Sequence, residues 1–256
     1  MIAAFALSLA LSFGFAVSGV GSEQPDATAV EVTVAATGAA DALAKVDVFE
    51  VSGLIDNVVA NGIERAVERS ATNGAQALVL QVNSRGAVVD QQRMAQLLQV
   101  VRDSAVPVGV WVGPSGSRAL GWSSWLLAVA DVSAMAPNST VGKTGTPISL
   151  DGKPLSFGEA TSLLRSNTLG TDDARDRGVL RLDIADEGVP VLRNMLFALD
   201  GLSVDGKVLD TVVEVVGDDG TIVREAATTR FFKLGTFEQL MHTSASAALE
   251  IGRAHV

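Results

Sequence analysis

Residues 107–142 read PVGVWVGPSGSRALGWSSWLLAVADVSAMAPNSTVG, and this stretch decides the fold. The run at residues 108–112 is apolar throughout, as in a strand buried on both faces. Residues 118–130 are predicted to form a helix, and residues 132–135 a second short strand. A strand, a helix and a strand in so short a span are typical of a βαβ unit with parallel pairing. The stretch therefore predicts an α/β protein.

The segments upstream repeat this alternation of strand and helix. Residues 46–51 alternate in the manner of a half-buried strand, which is predicted to end there. Asp56 is suited to cap a helix that runs to about Thr72, and residues 77–82 predict the next buried strand. Charged residues of the first helix occupy a face that we interpret as solvated: Glu64, Arg65, Glu68 and Arg69. A second helix is predicted from apolar residues at helical spacing: Met94, Leu97, Leu98 and Val101.

Two loops, at residues 83–88 and 113–122, follow buried strands. Sites in parallel sheets form at the carboxyl ends of strands, where loops open toward helix N-termini. Gly86 lets the first loop turn and present backbone N–H groups, as an oxyanion hole does, although a plain turn is the alternative. A helix N-terminus after the second loop is suited to stabilising a developing anion. Together the loops favour acyl-transfer chemistry.

Composition narrows the classes of partner and chemistry. The 256-residue chain has a formal net charge of −10, no cysteine and two histidines. We expect no nucleic-acid partner, because phosphate binding needs clustered basic residues. With 5 lysines, the surface also suits an anionic bilayer poorly by charge alone. Apart from these two histidines only carboxylates remain as metal ligands, and Asp172-Asp173 is interpreted as a helix start, so we expect no metal and no cofactor.

Four segments carry a resemblance to a known family. They are SRGA at residues 84–87, PVGVWV at 107–112, PSGSRALG at 114–121 and AMAPNSTVG at 134–142. They resemble the T-P-G-G, P-V-x-V-x-V, P-x-G-A-R-A-A-S-A-G and A-M-A-P-x-T-x-I-G motifs of the NfeD family. That family's periplasmic domain is a membrane-bound relative of ClpP and signal-peptide peptidase A. From Pro114 to Pro137 the match needs no gap. The resemblance implies a ClpP/crotonase-like fold of repeated β-β-α/βαβ units with a mainly parallel sheet.

The chain departs from the family at the residues that catalyse. The resemblance implies a Ser–Lys dyad, but Gly121 stands at the serine position and has no side chain that could attack a carbonyl. The helix that should carry the lysine, after the A-M-A-P strand, is interpreted as largely deleted. Gly86 and Ala87 match the oxyanion-hole backbone, where Arg85 replaces the family's proline. We therefore predict a serine-endopeptidase homologue that lacks both dyad residues at the family positions.

Three functions remain open. The favoured one is a catalytically degenerate homologue that binds a peptide or a membrane protein, or acts as an assembly scaffold; a homo-oligomer is compatible with it. The first alternative is an active endopeptidase with a relocated nucleophile, Ser117 or Ser123, and Lys143 as the base. The less favoured alternative is acyl-thioester binding, as in crotonases.

Five segments are expected along the chain. Residues 1–22 predict a signal peptide and 23–44 a flexible linker. Residues 45–234 form the ClpP-like, NfeD-type domain, and 235–250 lead into a transmembrane region that lies beyond this sequence. Residues 251–256, IGRAHV, equal a translated sequencing-adapter oligonucleotide, which would make them an artefact. We expect an exported protein, anchored in the cell membrane by C-terminal helices with its domain on the extracytoplasmic side.

Overall fold

A computed structural model of the chain describes residues 46–181, 188–204, 206–217 and 220–234. The predicted signal peptide, linker, transmembrane lead-in and adapter-like hexapeptide lie outside these residues. The helices are α1 (Asn57–Thr72), α2 (Gln91–Arg102), α3 (Trp125–Val129), α4 (Ala160–Leu164), α5 (Thr171–Asp176) and α6 (Leu192–Leu199). The strands are β1 (Val46–Ile55), β2 (Ala77–Ala87), β3 (Val108–Val112), β4 (Arg118–Leu120), β5 (Val132–Met135), β6 (Thr140–Gly142), β7 (Ser149–Leu150), β8 (Lys153–Pro154), β9 (Thr168–Gly170), β10 (Ser203–Val204), β11 (Lys207–Val208), β12 (Val212–Val216), β13 (Ile222–Ala226) and β14 (Thr229–Phe232).

A sheet of eight strands forms the centre of the described domain, and it branches at β2. Its main path is β14-β1-β2-β4-β6-β9, while β3 and β5 form a side branch. One edge of β2 pairs with β1 over its whole length. The opposite edge pairs first with β3, through Leu78–Val82, and then with β4, through Ser84. All of these pairs are parallel except β6 with β9. The predicted α/β fold with a curled, mainly parallel sheet is confirmed.

Both faces of the sheet are covered, which explains the apolar strands. Alternate residues of β2 enter two separate cores, because successive side chains of a strand point to opposite faces. Leu78, Leu80 and Val82 join the core beneath α1, α2 and α3. Ala77 and Val79 join the second core, to which α6 contributes Met195, Leu196 and Leu199.

The first long helix begins where the sequence predicted, and an ion pair joins it to the second. The Asp56 carboxylate accepts hydrogen bonds from the N–H groups of Val58 and Val59, both at 2.9 Å, and so caps α1. Arg93 of α2 donates two hydrogen bonds to the Glu64 carboxylate of α1, at 2.5 and 2.8 Å. These bonds raise the pKa of the Arg93 guanidinium. The pair therefore fixes the packing of α1 against α2.

Three boundaries predicted from the sequence are wrong, each because a distant strand pairs with the segment. The first strand continues past residue 51 to Ile55, with a bulge between Gly53 and Leu54. The predicted loop at residues 83–88 is mostly β2, which ends at Ala87. Residues 118–130 are not one helix. They form β4, a 3₁₀ turn at Gly121–Ser124 and the five-residue α3.

Two further findings concern the periphery of the domain. β12 and β13 form an antiparallel hairpin. Within the described ranges, no helix combines the length and the apolar character that a membrane span requires.

Candidate active site

The segments that carry the sequence resemblance converge in space. The Gly116 N–H donates to the Pro137 carbonyl at 3.2 Å, and the Ser115 hydroxyl donates to the same carbonyl at 2.5 Å. The Arg118 N–H donates to the Asn83 side chain, also at 3.2 Å. The loop before β4, the turn after β5 and the end of β2 are therefore held together by hydrogen bonds of both main-chain and side-chain groups.

Gly121 and Gly86 lie directly against each other at the centre of this convergence. A Cβ atom built on Gly121 would lie 3.5 Å from the Gly86 Cα and 3.9 Å from the Lys143 carbonyl oxygen. Gly121 begins the 3₁₀ turn with φ +59°, a left-handed conformation that glycine adopts without strain. The predicted nucleophile position is thus bordered by backbone on two sides, and it presents no side chain.

The predicted oxyanion-hole backbone is part of a strand, and one of its donors is already engaged. The Gly86 N–H donates to the Ser84 hydroxyl at 3.2 Å, and that hydroxyl donates to the Gly86 carbonyl at 3.0 Å. Ala87 pairs in register with Ile55 of β1. Ser84 is buried and was not identified from the sequence, because a serine beside a glycine is common in any turn.

The two alternative nucleophiles are buried serines. Ser117 is 3% exposed, and its main chain bridges the Pro114 carbonyl and the Thr140 N–H, each at 3.0 Å. The Ser123 hydroxyl donates to the Leu120 carbonyl at 2.7 Å. Its hydrogen bond therefore closes the 3₁₀ turn.

A third serine, Ser124, is the last residue of the 3₁₀ turn. Its hydroxyl donates to the carbonyls of Ala119 at 2.7 Å and Gly142 at 3.2 Å. Since these carbonyls belong to β4 and β6, Ser124 ties the site turn to two strands. A buried hydroxyl needs such partners, and these bonds hold the turn that begins at Gly121 against β4 and β6.

The main chain of Lys143, rather than its ammonium group, borders Gly121. Lys143 has φ +53°, its N–H donates to the Asn167 carbonyl at 2.9 Å, and its side chain is exposed. Lys153 lies in the two-residue strand β8 and is also exposed. The structure therefore joins the Lys143 backbone to the site, and it places Lys153 in a separate hairpin.

The segment where the resemblance predicts a lysine-bearing helix is short. Between β6 and β9 the chain forms the β7–β8 hairpin and the five-residue α4, Ala160–Leu164. The Phe157 ring stacks on Trp125 of α3 with ring centres 4.9 Å apart and planes at 12°. This aromatic pair anchors the segment beneath the site turn. The described residues also contain no group of three or more histidines and carboxylates that could hold a metal ion.

Known structures with this fold are membrane-bound proteases. The 1510-N membrane protease specific for a stomatin homologue from Pyrococcus horikoshii has a TM-score of 0.57 and 16% identity, covering 79% of this chain and 98% of that chain. A Lys-to-Ala mutant of the 1510-N protease, in complex with a substrate peptide, has a TM-score of 0.56 and 16% identity, covering 79% of this chain and 98% of that chain. A Ser-to-Ala mutant of the same protease has a TM-score of 0.54 and 16% identity, covering 74% of this chain and 98% of that chain. The sequence matches no family model and no curated protein at a significant level.

These structural neighbours are NfeD-family, ClpP-like serine proteases, so the resemblance predicted from the motifs is confirmed at the level of the fold.

Proposed function

We propose that this chain is a ClpP-class serine-protease homologue that binds a peptide or membrane protein without cleaving it. The observation that carries the proposal is the absence of a side chain at Gly121, beside the backbone of Gly86. The position that the sequence motif gives to the nucleophile holds no side chain, and the backbone of β2 lies against it. The surrounding scaffold is nevertheless intact, because the three motif segments still converge there.

The placement of the serines and the lysine supports loss of hydrolysis. Covalent catalysis needs a nucleophile and a base within hydrogen-bond reach of each other. Ser123 directs its hydroxyl to the Leu120 carbonyl, and the lysine group beside Gly121 is the Lys143 carbonyl. Neither arrangement activates a hydroxyl.

The class of partner is inferred from the fold and from one neighbour. The similar 1510-N protease is known in complex with a substrate peptide, and it is described as specific for a stomatin homologue. An extended peptide can add to an exposed strand edge, which gives affinity through main-chain hydrogen bonds. We propose the same class of partner here, with the domain exported, membrane-associated and able to serve as an assembly scaffold.

A fluorophosphonate probe on the full-length protein tests the loss of catalysis. We expect no specific serine labelling of the wild type. We also expect labelling to remain absent in Gly121→Ala, which adds a methyl group but no nucleophile. Labelling of the wild type that disappears in Ser117→Ala, Ser123→Ala or Lys143→Met would establish the relocated-nucleophile alternative instead.

Partner binding at the site is tested by site-directed crosslinking, for which the absence of cysteine from the chain is convenient. Val88→Cys places a photoreactive label directly after β2, where Val88 is 36% exposed. Val191→Cys, at a residue 50% exposed beside α6, is the matched control. We expect a stomatin-type membrane protein or its peptide to crosslink through Val88→Cys at least several-fold more than through the control. Equal crosslinking at both positions would contradict a binding site here.

A further inference from the structure

We propose that a groove between α1 and the end of β14 binds the phosphate group of an anionic amphiphile. The groove has a volume of about 210 Å³. Three cationic side chains line it, Arg65, Arg69 and Lys233, together with the rings of Phe49 and Phe232. This site is separate from the Gly86–Gly121 contact, and it does not depend on whether that site is catalytic.

Helical spacing brings the arginines to one side of the groove. Arg65 and Arg69 are four residues apart in α1, so their side chains are neighbours on the helix surface. Gly62 and Ala66 lie on the same face and are buried. A Cβ atom on Gly62 would come within 2.7 Å of Leu234 and 2.8 Å of Phe49. The glycine therefore lets the chain after β14 lie against α1, and this approach creates the groove.

The groove combines positive charge with apolar walls. The Arg69 guanidinium lies over the Phe232 ring at 5.9 Å from its centre, which orients it without neutralising its charge. Arg65 donates from Nε to the Asn61 carbonyl at 3.2 Å. Glu64, one residue before Arg65, is engaged by Arg93 of α2.

Within the described ranges, no salt bridge pairs Arg69 or Lys233 with a carboxylate. On a chain with a net charge of −10, such a cluster of cations is a local exception. Carboxylates near these groups would offset the charge, and none is found among the described residues that line the groove.

The size and lining of the groove select the class of ligand. Drug-sized ligands occupy pockets of about 300–1,000 Å³, so this groove fits a small anionic group. Arginine recognises phosphate through a planar fork, and lysine adds a point charge. Phe49, Phe232 and Leu234 offer apolar contact to the portion of the ligand next to the phosphate. A phosphate ester joined to hydrocarbon meets both requirements, whether it belongs to a phospholipid headgroup or to a soluble phosphorylated compound.

Vesicle flotation with the 256-residue chain, which is added to preformed vesicles, tests the proposal. Vesicles of phosphatidylcholine alone are compared with vesicles containing one third phosphatidylglycerol. A second arm titrates soluble dihexanoyl phosphatidic acid and inorganic phosphate by calorimetry. The test variant is Arg69→Gln with Lys233→Gln. The control is Lys153→Gln with Arg165→Gln, which makes the same change in net charge at exposed residues elsewhere.

We expect the test variant to bind about 30-fold more weakly, since each cation near an anionic surface contributes about fivefold, and the control to bind as the wild type does. Binding to anionic vesicles with no saturable binding of soluble ligands identifies a membrane headgroup. Saturable binding of the soluble phosphatidic acid identifies a phosphorylated compound taken from solution. Equal weakening in both double variants, or no dependence on Arg69 and Lys233 in either arm, would overturn the proposal. Thermal unfolding of each variant verifies that it is folded.

Discussion

Removing the guanidinium of Arg230 should destabilise the domain strongly, because it would leave the buried Asp47 carboxylate without its ion-pair partner. Asp47 of β1 is 0% exposed, and its carboxylate accepts three hydrogen bonds. Two come from Arg230 of the neighbouring strand β14, at 2.7 and 3.1 Å, and one from the Ser70 hydroxyl of α1, at 2.8 Å. In Arg230→Met only the Ser70 hydroxyl remains. Breaking one partner of such a pair costs about 3–5 kcal/mol.

This cost is large enough to measure by urea unfolding, followed through tryptophan fluorescence. With a slope of about 2 kcal/mol/M, the midpoint should fall by about 1.5–2.5 M. A matched control is Arg224→Met. Arg224 pairs with Asp200 at 2.9 Å, but it is 57% exposed, so its loss should cost less than about 1 kcal/mol.

The double variant Asp47→Leu with Arg230→Met separates burial of charge from loss of packing. Replacing both members of a buried pair by apolar residues is often neutral, so most of the stability should return. The reasoning is refuted if Arg230→Met costs no more than Arg224→Met. It is also refuted if the double variant is less stable than Arg230→Met alone, because the penalty would then not come from an unpaired Asp47 carboxylate.

Three further predictions concern the described domain, each measured by chemical unfolding. Gly142→Ala should prevent stable folding, because its Cβ would lie 2.2 Å from the Asn167 carbonyl oxygen. Gly145→Ala, also at a positive φ (+64°, against +140° at Gly142) but in open space, should cost only about 1–2 kcal/mol, and equal effects would show that the close approach is unimportant. Asp56→Ala should cost about 1 kcal/mol through loss of the α1 cap, and a change below about 0.3 kcal/mol would contradict the capping role. A double-mutant cycle with Glu64→Gln and Arg93→Gln should give a coupling of about 0.5–1 kcal/mol that falls in 1 M salt; a salt-independent value would argue against an ionic origin.

The parts of the fold that the sequence predicts correctly are those encoded by neighbouring residues. The Asp56 cap, the apolar stripe of α2 and the wholly apolar strand β3 each depend on residues within one element. Their pattern therefore survives without knowledge of the tertiary structure.

The errors arise where pairing with a distant strand overrides local preference. Arg118-Ala119-Leu120 is acceptable helix sequence, yet Ala119 pairs with Ser84 on one side and with Val141 on the other. A strand of three residues is too short to show a period, so nothing within it predicts this pairing. The same reason explains why residues 83–87 were interpreted as a loop.

The candidate site was predictable in position but not in detail. Motif spacing predicted that Gly86 and Gly121 share a site, and the structure brings them into contact. The engagement of the Gly86 N–H by Ser84 depends on one side-chain rotamer, which sequence does not report. The sequence analysis assigned Arg69 to a solvated helix face. Its position over the Phe232 ring was not predictable, because the two residues are far apart in the chain.

The pairing of β1 with β14 has a consequence for the nascent chain. Asp47 and Arg230 are 183 residues apart, so at about 5–20 residues per second roughly 10–40 s of translation separate them. During this interval the outer edge of β1 has no strand beside it, and unpaired edges invite association between chains. Asp47 is a charge that points inward from that edge, which is one way in which proteins discourage such pairing. The carboxylate that later accepts hydrogen bonds from Arg230 thus keeps a charge at this edge until the last described strand emerges.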